Sequence, residues 1–248
     1  MLVIFDLDGT LVDTTRRYAQ LIAGTIKGLP GVRDNLDIIA EKDIVTRLSR
    51  SDIAGARAQE KLQKLDAEYG TDLAVHSGAI VPILHENKAH TYHENCAFDG
   101  VGEALATLRD YGHTLAVASS ADPDSLNYAM QVTGLDAIIG KAAFGCSDDT
   151  PKKPDPSVLY KARDYYDTQA GQIVYVGDSI ADMQAARAAD MWAVGYIAPN
   201  VGDHNEARDA LYNAGAHDMV HHHREIRAFI DVHLPMLRER TRYLKTVK

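Results

Sequence analysis

The sequence predicts an α/β fold, a doubly wound parallel sheet with a small all-α domain inserted after its first strand. Three observations predict it. Short apolar or β-branched runs that stop at a small or acidic residue recur at Leu2–Phe5, Thr114–Ala118, Ile173–Val176 and Ala193–Ile197, the pattern of strands buried in a parallel sheet. Helical stretches separate them, and repeated strand, helix, strand gives right-handed crossovers with a ligand crevice at the carboxyl ends of the strands. From about residue 15 to 90 the strand signal gives way to helical segments.

Leu2–Phe5 is the first strand. The inserted helices are expected at Tyr18–Lys27, Asp37–Leu48, Ser51–Tyr69 and Asp72–His90, bounded by the polar step Asp13-Thr14-Thr15 and by Glu94–Gly100. The core is therefore assigned to residues 1–14 and 91–248 and the helical insertion to 15–90. From Val101, the residues Ala104, Leu105 and Leu108 keep helical spacing up to a C-capping Gly112. A second crossover helix follows Pro156, with Val158, Ala162 and Tyr165 expected on one face. The basic end from Arg238 to Lys248 reads as a solvated helix end.

The chain has 248 residues, 26 basic against 35 acidic side chains (a formal net charge of −9) and two cysteines. This length buries a substantial core, which excludes a disordered chain or a disulfide mini-protein. Cys96 and Cys146 form no metal or disulfide framework and read as reduced thiols of a cytoplasmic protein. A negative balance argues against nucleic acid or an anionic membrane as partner. No apolar run approaches the roughly 18 residues of a membrane span, and Met1 leads into Leu2–Phe5 without a signal-like basic region, so the mature chain is expected to begin where the sequence begins.

Four segments carry chemistry. Asp6-Leu7-Asp8-Gly9-Thr10 places two carboxylates on one side of a strand end, because alternate side chains share a face; such a pair needs a compensating cation, which suggests a Mg²⁺ site with one carboxylate left as nucleophile. A solvated Asp-rich turn would contain the same residues. Ser119-Ser120 ends the second strand with hydroxyls able to donate to a phosphate oxygen, although serine also commonly begins a loop. In Pro151-Lys152-Lys153-Pro154-Asp155-Pro156, prolines stiffen a turn that presents Lys153 as a positioned charge; an ordinary turn before a helix would look similar. In Gly177-Asp178-Ser179-Ile180-Ala181-Asp182 two acids four apart share the first turn of a helix, which serves either a metal or helix capping.

In this order, each at a predicted strand end, these segments resemble the haloacid dehalogenase (HAD) superfamily over nearly the whole chain. Asp6 to Thr10 matches its first motif, Ser119 its second, Lys153 its third, and Gly177-Asp178-Ser179 with Asp182 its fourth. The helical insertion is similar to the cap of the phosphoglycolate phosphatase and β-phosphoglucomutase branch, on a Rossmann-like core. The resemblance implies that Asp6 attacks phosphorus to give an aspartyl-phosphate, and that Asp8 protonates the leaving alcohol and then activates water. It also implies Mg²⁺ held by Asp6, the Asp8 carbonyl and Asp178, supported by Asp182. Ser119, Ser120, Lys153 and the amides of Gly9 and Thr10 would hold phosphate oxygens.

Asp8, two residues after the nucleophile, disfavours a dehalogenase. The resemblance thus implies a Mg²⁺-dependent phosphatase of a small phosphorylated metabolite, acting as monomer or homodimer. A sugar phosphomutase using the same residues is the enzyme alternative, and a phospho-accepting signalling module the non-enzyme one. Arg50 in the cap looks like the arginine that reaches the far end of the substrate, with Arg16 and Arg17 weaker candidates; a solvated helix arginine is the plainer reading. His85, His90 and His93 lack a rigid metal-ligand frame, and His221-His222-His223 reads as a surface turn.

Overall fold

A computed structural model describes residues 1–13, 15–28, 58–87, 92, 96–199, 201 and 203–233. Arg50, His90, His93, the expected helix Asp37–Leu48, the first residues of Ser51–Tyr69 and the end Arg238–Lys248 lie outside the described residues, as do the side chains of Arg16, Arg17 and His85.

Six strands form one parallel sheet among the described residues: β1 Leu2–Phe5, β2 Thr114–Ala118, β3 Ala143–Phe144, β4 Ile173–Gly177, β5 Trp192–Tyr196 and β6 Asp218–Val220. Their order is β3-β2-β1-β4-β5-β6. The chain steps outward from β1 through β2 to β3, then crosses back to β4 on the other side of β1, so the strand order reverses at β1 and opens a crevice there. In register, Phe5 lies opposite Val117 and Val176; Asp6, Ser119 and Asp178 therefore leave adjacent strands at the same end of the sheet.

The helices are α1 Thr15–Gly28, α2 Ala58–Tyr69, α3 Ser77–Asn87, α4 Val101–Asp110, α5 Pro123–Val132, α6 Asp136–Ile139, α7 Ser157–Tyr165, α8 Ile180–Ala188 and α9 His204–Asn213, with further helical residues at 225–233. Every residue of β1, β4 and β5 is buried, and fully burying a Val, Ile, Leu or Phe side chain stabilises by about 1.5–3 kcal/mol. The four expected strands are present, the last displaced by one residue. Sequence periodicity missed β3 and β6, which are too short to show a period of two. On α7, Val158, Leu159 and Ala162 are buried while Tyr165 is exposed, so the expected apolar face is corrected by one position. No helix among the described residues is long and apolar enough to cross a membrane.

Among the described residues there are two separate apolar clusters. One surrounds the sheet; the other consists of Ile22, Ala23, Ile26, Leu62, Leu65, Leu73, Ile80 and Leu84 from α1 to α3. Within the second, the Asp66 carboxylate accepts from Thr71 Oγ1 at 2.7 Å and from the amides of Leu73 and Ala74 at 2.6 and 2.8 Å, fixing the turn that leads into α3. The chain leaving β1 and the chain returning to α4 run side by side: Asp13 N donates to Cys96 O at 2.6 Å and Phe98 N to Leu11 O at 3.0 Å. Cys96 and Cys146 are buried and not joined in a disulfide.

Candidate active site

The turn after β1 is wound around Leu7, whose carbonyl accepts from the amides of Thr10, Leu11 and Val12, while Gly9 N donates to Val12 O. Gly9 sits at φ +83°, and a Cβ there would meet Asp178 Oδ2 at 2.2 Å. Only glycine lets the turn pass this close to the neighbouring carboxylate. The Gly9 and Thr10 amides, expected to hold phosphate oxygens, donate within the turn in this structure. Thr10 contributes its hydroxyl instead, donating to Asp178 Oδ1 at 3.0 Å.

Lys153 reaches the crevice from the loop before α7, followed by a cis bond to Pro154. Its Nζ lies 2.6 Å from Asp6 Oδ1, 2.5 Å from Asp182 Oδ1 and 2.8 Å from the Tyr175 hydroxyl, with the Ala118 carbonyl at 3.3 Å. Tyr175 Oη in turn donates to Asp182 Oδ1 at 2.9 Å. The lysine side chain is 4% exposed, so its charge is screened little by water and fixes its neighbours strongly.

Asp182 caps its helix and pairs with a buried charge at the same time. Its Oδ2 accepts from Ser179 N at 3.0 Å and Ser179 Oγ at 2.6 Å, while Asp182 N donates to Ser179 Oγ, which is a capping box at the start of α8. Its Oδ1 faces Lys153 and Tyr175. Burial alone would raise the Asp182 carboxyl, but Lys153 and the bonds from Ser179 and Tyr175 hold it below the usual carboxylate range.

Asp6 and Asp178 are in the opposite position. Burial pushes the Asp6 carboxyl up to about 7 against the pull of Lys153, with the charges of Asp182 and Asp8 adding to the rise. Asp178 is raised well above its ordinary value by burial, then by Asp182 and Asp6. Ligand oxygens of Asp6, Asp178 and Asp182 all lie within 4.8 Å of one another. Three carboxylates thus share one ammonium, an excess of two negative charges that matches a divalent cation in charge and in its preference for oxygen ligands. The cluster can hold such a metal.

Ser119 is buried and its Oγ accepts from Ala121 N at 3.1 Å, which leaves its proton to donate into the crevice. Ser120 follows, half-buried, with its side chain hydrogen-bonded to Cys146. Asp8 is half-buried, and the Tyr92 hydroxyl donates to its carboxylate, lying 2.9 and 3.0 Å from the two oxygens. The structure therefore brings Asp6, Asp8, Thr10, Ser119, Lys153, Asp178 and Asp182 to one end of the sheet.

Sequence reasoning missed Tyr175, Tyr92 and His223. A tyrosine inside the otherwise aliphatic strand Ile173–Gly177 was the available signal, since a buried hydroxyl needs a partner. His223 corrects the surface-turn expectation: His221 and His222 are exposed, but His223 is 4% exposed and its Nε2 lies 2.7 Å from the Thr10 carbonyl.

The haloacid dehalogenase-like hydrolase family matches residues 1–190 of the chain. A phosphoglycolate phosphatase of Nitrosospira multiformis is 32% identical over 215 residues, 84% of this chain and 86% of that protein. An N-acetylmuramic acid 6-phosphate phosphatase of Pseudomonas putida is 27% identical over 245 residues, 92% of this chain and 95% of that protein. Among solved structures, a haloacid dehalogenase-like protein of unknown function from Agrobacterium tumefaciens shares the fold at a TM-score of 0.72 and 21% identity, covering 93% of this chain and 97% of that one. A HAD family hydrolase from Deinococcus radiodurans does so at 0.69 and 22%, covering 95% and 96%.

Proposed function

Because this chain belongs to the haloacid dehalogenase-like hydrolase family, we propose that it is a Mg²⁺-dependent phosphatase that releases phosphate from a small phosphorylated metabolite through an aspartyl-phosphate. The observation that carries this reading is the buried contact of Lys153 Nζ with Asp6 Oδ1 at 2.6 Å, at a strand end shared with Asp178 and Ser119.

Asp6 is the nucleophile. An Asp6 oxygen bonds to phosphorus as the bond from phosphorus to the leaving alcohol breaks, and Asp8 gives its proton to that departing oxygen. Water then attacks the aspartyl-phosphate, its proton returns to Asp8, and the Asp6–phosphorus bond breaks. Lys153 and Ser119 hold transferring oxygens, with Ser120 beside them, and Lys153 is itself held by Asp182 and Tyr175; this positioning and charge neutralisation supplies most of the catalysis in phosphoryl transfer. Asp6, Asp178 and the Asp8 carbonyl are the groups that would hold Mg²⁺, with Asp182 behind them. The ion, when bound, offsets the negative charge that phosphate and carboxylates bring together.

We assign the core to residues 1–14 and 91–248 and a substrate-selecting cap to 15–90, in support of which α1 to α3 keep an apolar cluster of their own. Arg50 in that cap is proposed to meet the distal end of the substrate.

The test is phosphate release from a panel that includes 2-phosphoglycolate, N-acetylmuramic acid 6-phosphate and hexose phosphates, with Mg²⁺ or EDTA. Release that needs Mg²⁺ and disappears in Asp6→Asn is the expected outcome and ranks the substrates. Isomerisation of a hexose phosphate without phosphate release would replace the phosphatase by a mutase, and no turnover of any substrate by folded protein would overturn the enzyme reading.

A further inference from the structure

Tyr92 lies on the chain that returns from α3 to the sheet. It is 3% exposed and belongs to the apolar cluster of the core. Its hydroxyl donates to the Asp8 carboxylate and sits nearly equidistant from both oxygens at 2.9 and 3.0 Å. Asp8 lies within the turn that follows β1 and is half-buried. A carboxylate that must point first at a leaving oxygen and then at a water gains rate from being held, because a misdirected proton donor forfeits the advantage of proximity.

We infer that Tyr92 is a positioning residue for the acid–base step: its phenol aims the Asp8 carboxylate, and does so from the segment that closes the helical insertion back onto the core. The inference rests on the aspartyl-phosphate reading above and deepens it. Tyr92 is assigned no proton transfer; its hydroxyl serves as a hydrogen-bond donor to the Asp8 carboxylate.

Tyr92→Phe removes that hydroxyl and nothing else. The measurement compares two phosphate esters with Mg²⁺ present, an alkyl ester and a nitrophenyl ester. The alkoxide must be protonated as it leaves, whereas nitrophenolate leaves as a stable anion. In the variant, kcat for the alkyl ester is expected to fall by about ten-fold or more, part of the roughly 10²–10⁴ that a positioned acid–base group supplies. KM should stay within about two-fold, since Tyr92 is not assigned a substrate contact.

With the nitrophenyl ester, formation of the aspartyl-phosphate should survive and its hydrolysis should slow, because water still needs Asp8 as base. A burst approaching one nitrophenolate per enzyme, followed by slow turnover, is therefore expected in the variant. Both esters are read in one preparation, so partial unfolding scales them equally and cancels in their ratio. Equal losses on the two esters without a burst, or no loss on either, would overturn the positioning role while leaving the phosphatase intact. Wild-type protein that releases phosphate from neither ester would overturn the phosphatase reading and this inference with it.

Discussion

Lys153 sets the charge balance of the crevice. Its ammonium is the cation in contact with Asp6 and Asp182, and burial, which would lower it, is outweighed by those two carboxylates, so it stays protonated. Removing one partner of a buried ion pair costs about 3–5 kcal/mol because the other is left unpaired. Lys153→Met should therefore lower the thermal midpoint by roughly 10 °C, at roughly 2–4 °C per kcal/mol for a chain of this size, and abolish turnover. The sign with pH follows from the acids. In the variant, Asp6 and Asp182 lose the charge that favours their ionised forms, and at low pH they take up protons and relieve the repulsion. The loss measured by calorimetry should be larger at pH 8 than at pH 5; the reverse order would contradict this account. Lys153 and Asp6 were legible in the sequence because strand ends and proline-stiffened turns announce themselves locally. Tyr92 was not, since nothing about a tyrosine between polar residues shows that its hydroxyl meets a carboxylate 84 positions earlier.

At the scale of elements, the site is built by junctions where a strand gives way to a turn or helix. The β4 to α8 junction was readable from its acids, and its Ser179 cap shows why capping and charge pairing coexist: the two Asp182 oxygens face different partners. The turn after β1 is the more demanding piece. Gly9 combines a positive φ with a carboxylate where a side chain would go. A left-handed backbone costs an L-residue about 1–2 kcal/mol, and in Gly9→Ala the methyl group must also displace Asp178. We expect a destabilisation of about 2 kcal/mol together with Mg²⁺ affinity reduced by about ten-fold or more, the usual scale for disturbing a ligand's support. Metal titration followed by thermal shift measures both. A folded variant with unchanged Mg²⁺ affinity would show that Asp178 is not among the ligands. The short strands β3 and β6 were invisible to periodicity for a different reason, as their pairing comes from neighbours far away in sequence.

The molecule as a whole is tied to its site from behind. His223, well beyond the segment matched by the family, packs against Tyr196 and Phe98 and bonds the Thr10 carbonyl. Burial lowers the His223 imidazole below its ordinary value. The unfolded chain therefore takes up a proton near pH 6.5 that the folded chain refuses, and stability is lost as pH falls from that value through the folded one. His223→Asn keeps a donor without a titrating group, so the difference in thermal midpoint between variant and wild type should shift in favour of the variant between pH 7 and pH 5. A pH-independent difference would mean that the imidazole contributes no such linkage. The doubly wound sheet itself was the most legible feature, being repeated four times along the chain; the staple at His223 was hidden because three consecutive histidines look alike until the fold buries one.

The Asp6–Lys153 contact spans 147 positions of sequence. During synthesis the first of these residues leaves the ribosome long before its counterpart exists, by about 7–30 s at roughly 5–20 residues per second. Throughout that interval Asp6 is an ordinary carboxylate on an incomplete chain, without the ammonium that would aim it. On the proposed function, a chain that ends before β4 and α8 lacks Asp178 and Asp182, and is expected to be inert rather than partly active.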